Sequence, residues 1–322
     1  MTKPSPLKTP IPQPLRALLA FVAALIKLKV MPGLEPMLAK SEQERWGSVI
    51  PGFLVRKATM PMDTEDHLVE GRNGDKIPVR VYRKPGTPEG APGYFFIHGG
   101  GFIDGGVAHC DHVCREIADR SGFVVVGISY RLAPQHPFPA GIEDVQDVFT
   151  WMAKERPFGL DPERLAVAGE SAGGNYTTAL ALRVRDENGP RIAHHAPIYP
   201  LTDFTLSRID WSESNTGNPG VTREIADVVR ETYLPNKDFE NPGASVLFAD
   251  HAGLPPALVI TCGHDMLRNE GIALAEAYEA AGVETKHAHY PDQPHGYLLM
   301  TKMSKQADKT IDLLVSEAKK HL

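Results

Sequence analysis

A serine flanked by glycines is the clearest candidate nucleophile in the sequence. Gly169-Glu170-Ser171-Ala172-Gly173 forms a G-x-S-x-G motif that follows an apolar stretch and opens a helical pattern. A sharp strand-to-helix turn would expose the Ser171 hydroxyl, and the small residues on either side would let the backbone pass closely. The backbone N–H of Ala172, near the helix N-terminus, could stabilise negative charge on a reacting oxygen. We therefore predict that Ser171 is a nucleophile; the alternative is a glycine-rich turn with an incidental serine.

A run of three glycines forms a second motif that could take part in chemistry. The segment HGGGF at residues 98–102 directly follows the apolar segment YFFI. Glycines without a Cβ can aim several backbone N–H groups into one concavity. A phosphate-binding loop is the alternative, but neither G-x-G-x-x-G nor Gly-Lys-Ser/Thr follows. We predict that amides of Gly99, Gly100 and Gly101, together with that of Ala172, form an oxyanion hole.

A serine nucleophile needs a general base, and the base needs a carboxylate that fixes its tautomer. His295 follows the strand-like segment KHAHY and the turn PDQP, and Asp265 closes the apolar segment ALVITCGHD. Both would lie beyond the carboxyl ends of strands, where open α/β sheets place their sites. We predict His295 as the base and Asp265 as its partner. Less favoured are the acids Glu270 and Asp292 and the bases His264, His287 and His289; the last two also fit a strand with both rings on one face.

The segment HCDHVC at residues 109–114 is dense in residues that can bind metal ions. Cys110 and Cys114 stand four residues apart, as two ligands on one helix would. However, the chain has no second cysteine pair, and Cys262 is remote in sequence. We interpret the cysteines as small buried apolar residues beside a helix cap, and we predict neither a metal site nor a cofactor.

The elements that must position these residues alternate between strands and helices. Apolar strands that alternate with helices predict a mostly parallel sheet covered on both faces. The polar stretch 203–250, which surrounds one helix, looks like an insertion. Strands are expected at His67 to Glu70, Val79 to Tyr82, Tyr94 to Ile97, Phe123 to Ser129, Leu165 to Ala168, His195 to Tyr199, Ala257 to Thr261 and Lys286 to Tyr290. Helices are expected at Asp111 to Ser121, Ile142 to Lys154, Ala172 to Asp186, Arg223 to Tyr233, Gly271 to Ala281 and Lys305 to Lys320.

Composition and the N-terminal segment limit the remaining function classes. The 322 residues carry a net charge of −6, with no long basic run, which argues against nucleic acid as the main partner. Three cysteines cannot form a closed disulfide framework, so a reducing, cytoplasmic location is expected. The apolar stretch Leu15 to Val30 is too interrupted by charge to cross a bilayer and lacks a cleavage site for a signal peptide. We predict an amphipathic helix that lies on the domain, without stable membrane insertion.

Taken together, the motifs resemble the hormone-sensitive lipase family of α/β-hydrolases, in its bacterial carboxylesterase branch. The resemblance covers about residues 65–320. It rests on HGGGF at 98–102, YRLAP at 130–134, FPAGIEDV at 138–145, GESAGGN at 169–175, LPPALVITCGHDMLRNEG at 254–271 and HGY at 295–297.

This resemblance implies an α/β-hydrolase fold: a mostly parallel eight-stranded sheet flanked by helices, with a helical cap. It implies a Ser171–Asp265–His295 triad and an oxyanion hole made by Ala172 with two amides of the 99–101 loop. The cap would comprise an N-terminal segment, residues 1–50, and an insertion, residues 203–240. The catalytic domain would comprise residues 51–202 and 241–322.

Three positions depart from the family pattern without removing a catalytic group. Position 170 is Glu where Asp is commoner, position 269 is Asn where Asp is commoner, and position 297 is Tyr where Phe is commoner. These departures concern the fine shape of the substrate pocket. Tyr130 and Arg131, in the YRLAP motif, are interpreted as structural.

The resulting functional hypothesis is a serine carboxylesterase that hydrolyses short- to medium-chain acyl esters through an acyl-enzyme. Its partner would be a small-molecule ester, and a homodimer is compatible with the sequence. An amidase or lactonase with the same triad is one alternative. A non-catalytic binding module on the same fold is another, and the presence of His295 followed by Gly296 argues against it.

Overall fold

The computed structural model describes residues 8–17, 19–20, 53–209, 211 and 223–322. Within these residues one sheet of eight strands forms the centre of the molecule. The strands are β1 (Asp63–Glu70), β2 (Lys76–Arg83), β3 (Pro92–Ile97), β4 (Val124–Ile128), β5 (Asp161–Glu170), β6 (His194–Ile198), β7 (Ala257–His264) and β8 (Thr285–Pro294). The helices are α1 (Val107–Ser121), α2 (Ala140–Glu155), α3 (Ala172–Asp186), α4 (Arg223–Tyr233), α5 (Arg268–Ala280) and α6 (Lys305–His321).

The sheet has the order β1-β2-β4-β3-β5-β6-β7-β8 and is mostly parallel, as predicted. Strand β2 is antiparallel to both β1 and β4, and the remaining neighbours pair in parallel. The β1–β2 hairpin turns at Gly74, whose φ of 83° is a left-handed conformation that glycine adopts without strain. Parallel strands end at one edge of the sheet, so the loops that follow β3, β5, β7 and β8 can converge there.

Both faces of the central strands are covered by core. Along β3, Phe95 and Ile97 pack into one hydrophobic cluster, whereas Tyr94 and Phe96 pack into the cluster on the opposite side. Successive side chains of a strand point to opposite faces, so a strand buried on both sides must be apolar throughout. This explains why the apolar runs in the sequence predicted these strands.

Helix α1 begins four residues before its predicted start at Asp111. The amide of Val107 donates to Ser129 Oγ at 2.8 Å, which satisfies one of the free N–H groups at the helix N-terminus. Asp111 is therefore inside the helix rather than at its cap, and its carboxylate accepts hydrogen bonds from Arg115 at 2.7 Å and Tyr82 at 3.1 Å. The two cysteines of the HCDHVC segment are buried in the core.

Much of the predicted N-terminal helix and part of the predicted insertion lie outside the described residues. Of the segment Leu15 to Val30, Leu15 and Leu19 are described as buried, and they pack with Ile11 against Met300 and Met303. Across the part of the chain that the structure describes, no helix is long and apolar enough to span a membrane. The helix expected in the insertion is confirmed as α4. The division into cap and catalytic segments stays a prediction.

Candidate active site

Ser171 occupies a one-residue turn between β5 and α3. Its φ of 57° and ψ of −117° are unusual for a residue with a Cβ and store local backbone strain. The Ser171 amide donates to the carbonyl of Ile198 on the neighbouring strand at 2.9 Å, which holds the turn in place. The structure thus has the strand–turn–helix arrangement that the G-x-S-x-G motif predicts.

The turn is possible only because its glycines permit very close backbone approach. A Cβ on Gly173 would lie 2.1 Å from the carbonyl oxygen of Ile97, and a Cβ on Gly169 would lie 2.2 Å from the carbonyl oxygen of Gly173. The N-terminus of α3 therefore lies directly against the end of β3, beside the glycine loop that follows this strand.

Three predicted side chains meet at the carboxyl edge of the sheet. His295 Nε2 lies 2.8 Å from Ser171 Oγ, and His295 Nδ1 lies 2.8 Å from Asp265 Oδ2. A carboxylate only accepts hydrogen bonds, so Nδ1–H donates to Asp265 and Nε2 accepts the hydroxyl proton of Ser171. The other oxygen of Asp265 accepts the Leu267 amide at 2.9 Å, which fixes the carboxylate.

Opposing effects act on the pKa of His295. Burial lowers this pKa, but the charge of Asp265 and its hydrogen bond raise it, with a further contribution from the charge of Glu170. The balance places the pKa of His295 above the ordinary value of 6.5. The ring is thereby matched to accept a proton from a hydroxyl near neutral pH.

The prediction expected two of the three amides of residues 99–101 in the oxyanion hole and left open which two. The Gly99 amide donates to Glu170 Oε1 at 2.6 Å, which favours Gly100 and Gly101 as the two from this loop. The amides of Gly100, Gly101 and Ala172 make no hydrogen bond with any residue that the structure describes. These three amides therefore remain as the candidate oxyanion donors.

The carbonyl side of the same loop is also held by side chains. His98 Nδ1 lies 2.6 Å from the Gly99 carbonyl oxygen, and the Tyr130 hydroxyl donates to the His98 carbonyl oxygen at 3.0 Å. The His98 and Tyr130 rings stack with centroids 4.1 Å apart. Tyr130 therefore supports the loop rather than facing a substrate.

The less favoured acids and bases make their contacts elsewhere. The Glu270 carboxylate accepts the amides of Thr202 and Asp203 at 2.8 and 3.1 Å. His287 and His289 lie on one face of β8, and a ring nitrogen of each is 2.8 Å from Thr261 Oγ1. His264 contacts the Thr9 carbonyl oxygen through Nε2 at 2.5 Å, and Asp292 lies partly exposed in β8.

Two residues next to the site were missed as contributors at the sequence level. Glu170 lies within the motif, but its contact with Gly99 spans 71 positions and has no sequence signal. Tyr199 has a φ of 36°, and its ring centroid lies 4.8 Å from that of His295. Only its position at the end of a predicted strand, at the same sheet edge, could have suggested it.

Helix α4 lies against the glycine loop from outside the sheet. Phe102, at the end of the loop, stacks on Tyr233 with ring centroids 4.1 Å apart. Val229 Cγ2 lies 3.1 Å from the position that a Cβ on Gly101 would take. The space next to the candidate oxyanion donors is therefore bounded by apolar and aromatic side chains of α4.

Comparisons with known proteins agree with the observed fold. A family model described as alpha/beta hydrolase fold matches residues 94–299. The carboxylesterase NlhH of Mycobacterium tuberculosis is 38% identical over 232 residues, which are 69% of this chain and 71% of that protein. The ethyl acetate hydrolase of Pseudomonas putida is 30% identical over 303 residues, 91% of this chain and 93% of that protein.

A solved structure extends the likeness to almost the whole chain. The hyperthermophilic esterase of the archaeon Pyrobaculum calidifontis has a TM-score of 0.85 and 32% identity, and the match covers 97% of this chain and 99% of that one. On the matched residues and these relatives, the chain belongs to the α/β-hydrolase superfamily and, within it, to a family of esterases.

Proposed function

We propose that the protein is a serine carboxylesterase whose catalytic residues are Ser171, His295 and Asp265. The observation that carries this proposal is the hydrogen-bonded chain from Ser171 Oγ through His295 to Asp265, with both distances at 2.8 Å. The candidate oxyanion donors, the amides of Gly100, Gly101 and Ala172, belong to the Ser171 end of this hydrogen-bonded series. Nucleophile, base, orienting carboxylate and oxyanion donors are the groups that acyl transfer requires.

In the first half-reaction Ser171 Oγ attacks the ester carbonyl carbon while His295 Nε2 takes the hydroxyl proton. The carbonyl oxygen becomes an oxyanion that accepts hydrogen bonds from the three free amides. Asp265 stabilises the imidazolium through Nδ1–H without taking its proton. When the tetrahedral intermediate collapses, the C–O bond to the alcohol breaks, His295 returns its proton to the leaving oxygen, and an acyl-enzyme remains on Ser171.

In the second half-reaction water replaces the alcohol. His295 takes a proton from the water as its oxygen attacks the acyl carbon, and the same amides bind the second oxyanion. Collapse breaks the bond to Ser171 Oγ, which regains the proton from His295. The products are one carboxylic acid and one alcohol, and the cycle needs neither metal nor organic cofactor.

The proposed substrates are small-molecule esters with short to medium acyl chains. The apolar side chains of α4 next to the glycine loop support this size. A relative named for ethyl acetate, a two-carbon acyl ester, supports it as well. Initial rates on p-nitrophenyl esters from acetate to palmitate test the proposal: kcat/KM should peak at eight carbons or fewer, and a maximum at palmitate would contradict it.

Replacing the nucleophile tests the catalytic assignment. Because the triad members act as a unit, Ser171→Ala should lower kcat on p-nitrophenyl acetate by about 10⁶-fold. Ser316→Ala, at an exposed serine of α6, is the matched control and should leave kcat unchanged. Hydrolysis by the Ser171→Ala protein at the wild-type rate would refute the assignment.

The finer family placement and the domain division are also proposals. The motifs GESAGGN, HGGGF and HGY support the bacterial carboxylesterase branch of the hormone-sensitive lipase family. The contact of α4 with the glycine loop supports the part of the proposed cap made of residues 203–240. The N-terminal cap segment, residues 1–50, and the catalytic domain, residues 51–202 and 241–322, are proposed from the family resemblance. Three free, buried cysteines support a cytoplasmic location.

A further inference from the structure

The carboxylate of Glu170 lies behind the glycine loop, residues 98–101, which we also call the oxyanion loop, on the side away from solvent. Glu170 directly precedes Ser171, is 2% exposed, and accepts the Gly99 amide at 2.6 Å. A Cβ on Gly99 would lie only 2.3 Å from Glu170 Oε1. The loop and the carboxylate are therefore in direct contact, with no space for either to shift toward the other.

The other side chains that hydrogen-bond to this loop are neutral, and they bind its carbonyl oxygens rather than its amides. Burial lowers the pKa of His98 to about 3, so its ring is uncharged at neutral pH and Nδ1–H donates to the Gly99 carbonyl. The Tyr130 hydroxyl donates to the His98 carbonyl. Glu170 is thus the one described side chain that engages an amide of the loop, and a carboxylate forms a stronger hydrogen bond than a neutral acceptor.

We propose that Glu170 is a positioning residue for ester hydrolysis. By accepting the Gly99 amide, it fixes the peptide planes of the oxyanion loop so that the amides of Gly100 and Gly101 point at the oxyanion formed on the Ser171 adduct. His109 Nε2 lies 3.9 Å from the same oxygen of Glu170. This inference rests on the proposed function and deepens it, because it assigns a role to a residue that never touches substrate.

Two variants separate the hydrogen bond of Glu170 from its charge. Glu170→Gln keeps an acceptor oxygen on a side chain of the same length, whereas Glu170→Met keeps the length and removes the acceptor. Asp147→Asn is the control, since Asp147 also accepts a backbone amide, that of Arg72 at 2.7 Å, but at the distant β1–β2 turn.

The measurements are kcat and KM on p-nitrophenyl acetate, together with the inhibition constant of a trifluoromethyl ketone. Such a ketone adds to a catalytic serine and forms an oxyanion, so its affinity reports on the donors of the loop. Because a displacement of about 1 Å can cost about 100-fold in rate, Glu170→Met should lower kcat by about 100-fold with little change in KM. Its ketone affinity should fall by the same factor as kcat/KM. Glu170→Gln should stay within tenfold of wild type, and Asp147→Asn should match wild type.

Each contrary outcome has a defined meaning. A folded Glu170→Met protein with wild-type kcat and ketone affinity would overturn the proposal. The proposal would also be overturned if Glu170→Gln and Glu170→Met lost the same amount of kcat, shifted the acid limb of the pH profile and kept their ketone affinity. In that case the negative charge of Glu170 would act on His295 rather than its hydrogen bond acting on the loop. Hydrolysis that survives Ser171→Ala would refute the proposed function itself. If hydrolysis depends on Ser171 but Glu170→Met leaves kcat and ketone affinity unchanged, only this inference is refuted.

A second variant keeps the proposal testable if Glu170→Met does not fold. Gly99→Ala places a Cβ against the Glu170 carboxylate and should lower kcat and ketone affinity together. In a Glu170→Ala background the space is free, so adding Gly99→Ala should cost much less than it does in the wild type. If the losses of kcat in Gly99→Ala and Glu170→Ala simply add in the double variant, the carboxylate and the loop are not in direct contact.

Discussion

His295 shows how single residues set the chemistry of the site. Its Nδ1 lies 2.8 Å from Asp265 and its Nε2 lies 2.8 Å from Ser171, so one ring connects the carboxylate to the proposed nucleophile. The types and sequence positions of these three residues could be predicted, because each lies at the end of a predicted strand or in the turn that follows one. The engagement of the Gly99 amide could not, since its acceptor Glu170 is 71 positions away and is brought close only by the pairing of β3 with β5.

The protonation of His295 should set the acid limb of the pH–rate profile. Only neutral His295 can take the hydroxyl proton, so kcat/KM should fall as the pH drops through the pKa of this residue. Because Asp265 raises the pKa of His295 despite its burial, the midpoint should lie above 6.5. Asp265→Asn removes the charge that raises this pKa, so the acid limb of its residual activity should lie at lower pH. A wild-type midpoint clearly below 6.5 would contradict the electrostatic balance described for this ring.

At the level of elements, the contact between α3 and β3 fixes the position of the proposed nucleophile, Ser171. The strands and helices were predictable because apolar runs alternate with amphipathic ones, and the predicted bounds of α3 match the observed helix. The start of α1 was not predictable, because its first amide binds Ser129, which is 22 residues further along the chain. Local sequence patterns predict elements but not the hydrogen bonds that tertiary contacts add at their ends.

Adding one methyl group at Gly173 should separate α3 from β3. The Cβ of Gly173→Ala would lie 2.1 Å from the Ile97 carbonyl oxygen, so the helix N-terminus must move, and the Ala172 amide moves with it. We expect a lower Tm and a loss of kcat of about 100-fold, the cost of a displacement of about 1 Å. Gly189→Ala is the control, since its Cβ would meet no atom closer than 3.6 Å. Wild-type activity in Gly173→Ala would show that this close contact is not needed.

For the whole molecule, one buried carboxylate links stability to pH. Burial raises the pKa of Glu270 to about 8, although the amides of Thr202 and Asp203 favour its ionised form. The unfolded chain ionises this group near its ordinary pKa of 4.5, so the folded state binds more protons between these two values. Stability from this group therefore falls as pH rises through that window, by up to about 1.4 kcal/mol per pH unit.

Replacing Glu270 by glutamine should remove this dependence. Glu270→Gln keeps an oxygen for the two amides and cannot ionise, so its free energy of unfolding should change less between pH 5 and 8 than that of the wild type. Urea unfolding at several pH values measures the difference, with Glu163→Gln at an exposed position as the control. Equal pH dependence in wild type and Glu270→Gln would show that the folded protein ionises Glu270 normally.

The proposed activity of the whole molecule depends on Ser171 as a nucleophile that His295 activates. Labelling with diethyl p-nitrophenyl phosphate, followed by peptide mass analysis, tests this role directly, because the reagent traps an activated serine as a stable phosphoryl ester. We expect one diethylphosphoryl group per chain on the peptide that contains Ser171, loss of esterase activity in proportion to labelling, and no label in Ser171→Ala. Stoichiometric label on a different residue, or full esterase activity in the labelled protein, would contradict it.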